Sequence, residues 1–195
     1  MRHLLIPLFA LTALTALTAV AAAPAFGADT YTVDPSHSAV LFSVSHLGIS
    51  NTHGRFNGID GTLTWDATDP TKSSINLTIK TDSVDSGSEK RDQHLRSADF
   101  FNAKQMPTAT FVSKSFTKID DATFSVTGDL TLVGTTKPVT VIVKKIGEGK
   151  DPWGGYRIGF ETSLTIKRGD FKILGAPGVV GEDVALTFGL EGLKK

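Results

Sequence analysis

Glu89–Asp99 (EKRDQHLRSAD) gathers Lys90, Arg91, Asp92, His94, Arg96 and Asp99 into one short stretch. A histidine among carboxylates and guanidinium groups has the composition of an acid–base centre. Such a centre also needs a nucleophile, or paired carboxylates, within reach of the base. The chain has no cysteine and no Gly-x-Ser-x-Gly elbow, and Asp92 and Asp99 each have a basic neighbour close in sequence. Structural ion pairing of Asp92, Arg96 and Asp99 accounts for the cluster best. Contact of Arg91 or His94 with a ligand head group comes second, and no residue is assigned a catalytic role.

The remaining polar signals carry less chemistry. Beyond the N-terminal stretch the histidines are His37, His46, His53 and His94. None of their spacings matches a zinc or two-metal signature, so no metal is expected. His46 shares the parity of Phe42 and Val44. It should sit inward or at a strand end near a rim, as a hydrogen-bonded residue or a head-group contact. His53 lies in a stretch that looks irregular. Arg168-Gly169-Asp170 reads as an internal ion pair or turn, and Gly147-Glu148-Gly149 as a hairpin signal rather than a phosphate loop.

The first 27 residues have a basic start at Arg2, an apolar run from Leu4 to about Ala23, then small residues. That is the pattern of a secretory signal peptide cleaved at or near Gly27/Ala28. The expected mature chain, residues 28–195, is one domain with enough length for a sizeable core. Without Arg2 it carries 19 basic against 20 acidic side chains, a net charge of about −1. There is no basic surplus for phosphate neutralisation, so nucleic acid is not an expected partner. With no cysteine, an exported domain must rely on apolar burial and sheet hydrogen bonds rather than disulfides.

What positions the charged segment is β-structure. Apolar residues recur at period two in AVLFSVSHL (Val40, Phe42, Val44), GTLTWD (Leu63, Trp65) and SINLTIKT (Ile75, Leu77, Ile79). The pattern continues in FSVTGDLTL (Phe124, Val126, Leu130, Leu132), VTVIVKK (Val139, Val141, Val143), YRIGFETSLTIKR (Ile158, Phe160, Leu164) and VALTFGL (Phe188). Turn signals such as Asn57-Gly58 and Asp151–Gly155 separate roughly eight to ten strands, which suggests a sandwich or closed barrel. Ser86-Gly87-Ser88-Glu89 fits a capping box, with Ser86 as N-cap and a short helix over about 87–96. Asp92 and Arg96, four apart, would pair along it, and Leu95, Phe100 and Phe101 would pin it to the sheet.

Four stretches together resemble the YceI-like, polyisoprenoid-binding family. They are YTVDPSHSAVLFSVSHLGISNTHGRFNGIDGTLTWD at 31–66, SVDSGSEKRDQHLRSADFFNAKQMPTATFVS at 83–113, VTGDLTLVGTTKPVTV at 126–141 and IKRGDF at 166–171. Gly169 stands where that family usually carries serine. The resemblance implies an all-β, lipocalin-like antiparallel barrel of about eight strands with one short helix. It also implies a periplasmic or secreted bacterial protein, often homodimeric, with no catalytic activity and no membrane anchor once the leader is removed. The expected occupant is a polyprenyl phosphate, a quinone-like isoprenoid, or a fatty acid or amide, with no other cofactor. Parity alone does not separate a ligand pocket from a solid core, because a barrel of this size suits either. The inward set is Val40, Phe42, Val44, His46, Leu77, Ile79, Phe111, Val126, Leu130, Val141, Ile158, Phe160, Leu164 and Phe188. Candidate head-group contacts are His46, Arg91 and His94.

Overall fold

The computed structural model describes residues 27–195, so the expected leader falls almost wholly outside it. The strands are β1 (Asp29–Val33), β2 (Ala39–His46), β3 (Ser50–Phe56), β4 (Ile59–Trp65), β5 (Ser74–Lys80) and β6 (Val84–Asp85). The one α-helix among the described residues, α1 (Glu89–Arg96), precedes β7 (Thr108–Lys118), β8 (Thr123–Leu132), β9 (Thr135–Lys150), β10 (Tyr156–Lys167) and β11 (Val180–Lys194). Eight of them, in the order β1-β4-β5-β7-β8-β9-β10-β11, form an antiparallel ring that closes through β1–β11 pairing. The chain is a closed barrel.

β11 makes the closure possible because it is long enough for two partners on one flank. Its last residues, Gly192–Lys194, pair with Val33–Tyr31 of β1. Its first part, Val180–Gly189, pairs with His46–Ala39 of β2, with the register slipping between Val180 and Val184. β2 continues into β3, and β3 into the two-residue β6, so a flap extends the wall at one end. The β8–β9 connection is tight: Val133–Gly134 joins the two strands with both residues at positive φ.

Period two translates into burial along the ring. β8 alternates strictly between partly exposed and buried residues from Thr123 to Leu132. Val126, Phe124, Ile158, Phe116 and Tyr31 are among the most deeply buried side chains. Trp65 meets Phe124 and Phe160 edge-on at 5.1 and 5.4 Å between ring centroids, an arrangement that aromatic quadrupoles favour. Burial pushes the Tyr31 phenol up to about 12, with help from the nearby Asp29 charge. These residues make one end of the interior solid.

Three strands lack the pattern that would announce them. β1 is short, and β7 carries a register shift between Ser113 and Ser115. β3, which contains His53, is almost entirely polar, and its inward position opposite Phe42 is Gly54. A Cβ there would collide with the Phe42 ring, so the glycine makes room for an aromatic from the next strand. Gly147–Gly149 is no hairpin turn: β9 runs through it, and the reversal comes at Asp151–Gly155.

The solid end is tied by Arg157, whose guanidinium bonds three carboxylates: Asp34 (2.7 Å), Asp151 (2.8 Å) and Glu191 (2.5 Å). It thereby fixes the β1–β2 connection and the β9–β10 turn to β11. His37 joins through Asp34 at 2.9 Å. Hydrogen bonds from Ser36, then Arg157, then His37 hold the Asp34 carboxyl well below the usual carboxylate range. Because the folded-state value lies below the unfolded one, near 3.9, this stabilisation is complete above that pH. It disappears as pH falls through the lower folded value. Asp34→Asn should therefore lose stability near neutral pH and show a flatter decline in urea midpoint from about pH 5 to about pH 2. Arg157→Ala, which leaves three carboxylates facing one another, should cost about 2–3 kcal/mol in the same neutral-pH measurement.

Candidate functional site

At the opposite end the interior is not filled. A cavity of about 310 Å³ lies between the mouth-facing halves of β2 and β11, the underside of α1, and the segments after α1 and β10. Six of its 25 lining side chains are polar: Ser45, His46, Thr52, Arg91, His94 and Arg168. The rest are aliphatic or aromatic, including Val40, Phe42, Val44, Ile79, Leu130 and Phe188. Phe56 stacks at a tilt against Phe42 (5.9 Å) and edge-on to Phe101 (5.2 Å), which joins the β2–β3 wall to the segment after α1. Size and lining match a small-molecule pocket with a few polar groups near one end.

α1 forms the roof, and its internal bonding differs from the expected one. The helix begins at Glu89 with Ser88 as N-cap, and no side chain bonds the cap. Ser86 stands two residues too early, and Gly87, at positive φ, turns the chain between them. Asp92 instead reaches back from the first turn and accepts from the backbone N–H (2.8 Å) and the hydroxyl of Ser86. This satisfies a buried carboxylate without Arg96, so the expected Asp92–Arg96 pair does not form. Arg96 donates to Glu89 (3.1 Å) and to the Asp82 carbonyl. Arg91 holds Ser86 through Nε to its hydroxyl (2.8 Å) and Nη2 to its carbonyl (2.6 Å) while lining the cavity. His94 Nε2 lies 2.9 Å from Asp99 Oδ2, and its ring stands edge-on to Phe100 at 5.0 Å. The Asp99 partner is thus a histidine.

Arg168 opens the turn that was one reading of Arg168-Gly169-Asp170, while the internal ion pair, the other reading, does not form. Arg168 is buried, and its partner is not Asp170, which turns outward to Lys137 at 3.1 Å. The cause is the one-turn 3₁₀ helix Arg168–Phe171, which points the two side chains apart. The guanidinium donates to four backbone carbonyls: Gly181 (2.9 Å), Ile173 (2.9 Å), Gly175 (2.7 Å) and Val180 (3.1 Å). Its nearest carboxylate, Glu182, is 3.9 Å away and half-exposed. A positive charge balanced chiefly by carbonyl dipoles therefore sits in the cavity wall. One of its five N–H groups is left over from these bonds.

The inward set divides along the barrel axis. Val40, Phe42, Val44, His46, Ile79, Leu130 and Phe188 line the large cavity. Leu77, Phe111, Val141 and Leu164 line a second apolar void of about 40 Å³, which Leu130 and Phe188 also border. Phe160 faces a third, smaller void with Leu77, and Val126 and Ile158 belong to the packed core. All three candidate head-group residues, His46, Arg91 and His94, face the large cavity. The lining residues that pattern reading missed, such as Ile173, Ala176 and Val180, lie on a loop and a bulged strand start with no periodicity to mark them.

Comparison with known proteins fits this architecture. The family model for the YceI-like domain matches residues 31–192. The chain belongs to the YceI-like family. A UPF0312 protein of Ectopseudomonas mendocina and the protein YceI of Escherichia coli O157:H7 are each 46% identical over 173 residues, covering 88% of this chain and 90% of the relative. Among solved structures, Burkholderia cenocepacia BcnA superposes with a TM-score of 0.74 at 28% identity, covering 82% of this chain and 98% of its own. A Campylobacter jejuni YCEI protein gives 0.70 at 33% identity, covering 77% and 90%. A polyisoprenoid binding domain from Saccharophagus degradans shares the fold at TM-score 0.66 and 19% identity, covering 85% and 98%.

In this YceI-like barrel Arg168 joins the Ile173–Gly175 loop to the start of β11, and only a planar fork reaches all four carbonyls. Arg168→Lys should keep the charge yet lose about 2 kcal/mol of stability, read as a lower urea midpoint. Hydrogen exchange should rise first in residues 173–181.

Proposed function

We propose that this protein is a non-enzymatic carrier that sequesters a polyisoprenoid, or a related single-chain amphiphile, in the mouth-end cavity of its barrel. The carrying observation is the cavity itself: about 310 Å³ of apolar space capped by Arg91, His94, His46 and Arg168. At about 30 Å³ per methylene-sized group it takes roughly ten of them. At ~0.8 kcal/mol each, their transfer contributes roughly 8 kcal/mol before the cost of association. A tail supplies most of the affinity, and two guanidinium groups at one end favour a head group that accepts hydrogen bonds, such as a phosphate, carboxylate or quinone carbonyl.

The polyisoprenoid binding domain from Saccharophagus degradans supports the same reading by shared fold. The apolar run at Leu4–Ala23 supports export to the periplasm or beyond. A homodimer belongs to the same reading, and sedimentation of the purified protein reads it directly.

Organic extraction of the purified mature protein, followed by mass spectrometry, should recover a long-chain amphiphile in stoichiometric amount. An empty extract, together with failure of a fluorescent fatty acid or prenol to bind, would sink the proposal. Arg91→Ala should weaken a phosphate-headed chain about tenfold, equivalent to ~1.4 kcal/mol, and leave the matching neutral alcohol unchanged. Product formation that disappears in His94→Ala would instead mark an enzyme.

A further inference from the structure

The large cavity is not the end of the empty space. Behind it lie the second void, of about 40 Å³, and a third of about 10 Å³. They run in series along the barrel. Leu130 and Phe188 border both the first and the second, and Ile75, Leu77 and Leu190 border both the second and the third. Successive inward residues of β11 mark the sequence. Val184 and Leu186 face the large cavity, Phe188 the boundary, and Leu190 the two voids beyond. The second void is lined almost wholly by hydrocarbon, with Thr162 as its one polar residue.

Leu130 and Phe188 are both buried and come from β8 and β11, which stand three strands apart in a ring of eight. They approach from well-separated walls and interrupt what is otherwise a continuous apolar bore. Nothing polar separates the two spaces.

We infer that Leu130 and Phe188 form a waist that sets the length of chain the barrel accepts. This rests on the carrier reading above. The head group stays at Arg91 and Arg168, the tail fills the large cavity as far as the waist, and a longer chain has to fold back on itself instead of advancing. Removing the waist extends the bore by the stretch of β11 from Phe188 to Leu190. Two strand residues at about 3.3 Å each, tilted about 40° to the barrel axis, add roughly 5 Å. An extended chain advances roughly 1.2 Å per atom, three backbone atoms spanning about 3.5 Å. The gain is about four carbons.

Straight-chain carboxylic acids of increasing length, competing with a fluorescent fatty acid, give the length at which affinity stops rising. In Phe188→Ala, and independently in Leu130→Ala, that plateau should move about four carbons beyond the wild-type one. Adding Leu164→Phe to Phe188→Ala refills the second void and should return the plateau towards wild type. Folded variants, judged by circular dichroism, that keep the wild-type plateau would overturn the waist while leaving the carrier reading intact. A wild-type protein that binds no member of the series would overturn the carrier reading, and the waist with it.

Discussion

β11 has one flank and two neighbours on it, and the remainder of the molecule follows from that division. Its final residues pair with β1 and close the ring; its first part pairs with β2, which continues the wall along the rest of that flank. Had β1 covered the whole flank, the β2–β3–β6 flap would have no edge to join and the mouth no second wall. Ladder hydrogen bonding, which leaves no polar backbone edge to cover, therefore shapes the cavity more than any single side chain does.

The two ends of the barrel meet their electrostatic obligations differently. At the solid end one guanidinium bonds three carboxylates in a half-buried knot, where ion pairs between side chains hold the elements together. At the mouth, Arg168 is surrounded by carbonyl oxygens and Asp92 by the Ser86 hydroxyl and amide, so dipoles take the place of counterions. Dipoles bind a buried ion firmly but do not cancel its field, and the field persists inside a low-dielectric cavity. That asymmetry gives the pocket a polar end and a direction.

Much of the ring was legible from sequence because its strands have one wet face and one dry face, and strict alternation follows from that. β8 is the clearest case. β3 was illegible for the opposite reason: its inward position is Gly54, emptied to receive Phe42, so the pattern disappears where packing is closest. The candidate site was legible in outline, since His46, Arg91 and His94 all face the cavity. Its bonding was not. Asp92 chose Ser86 over Arg96, and Arg168 chose carbonyls over Asp170, because burial rewards complete hydrogen bonding ahead of the nearest opposite charge. Which inward residues surround space and which fill it depends on depth along the axis, a coordinate that parity does not contain.

The β1–β11 seam also governs timing. Tyr31 lies opposite Lys194, so the contact that closes the ring joins residues separated by almost the whole described chain. A ribosome or a translocation pore releases residues in order, and this seam cannot form until the last strand has emerged. Until then the growing sheet keeps two open edges and an apolar inner face, a state of high contact order that folds slowly and aggregates readily. For any chain that must pass through a pore such a delay is useful: a barrel unable to lock before its last strand is free remains threadable for as long as threading lasts.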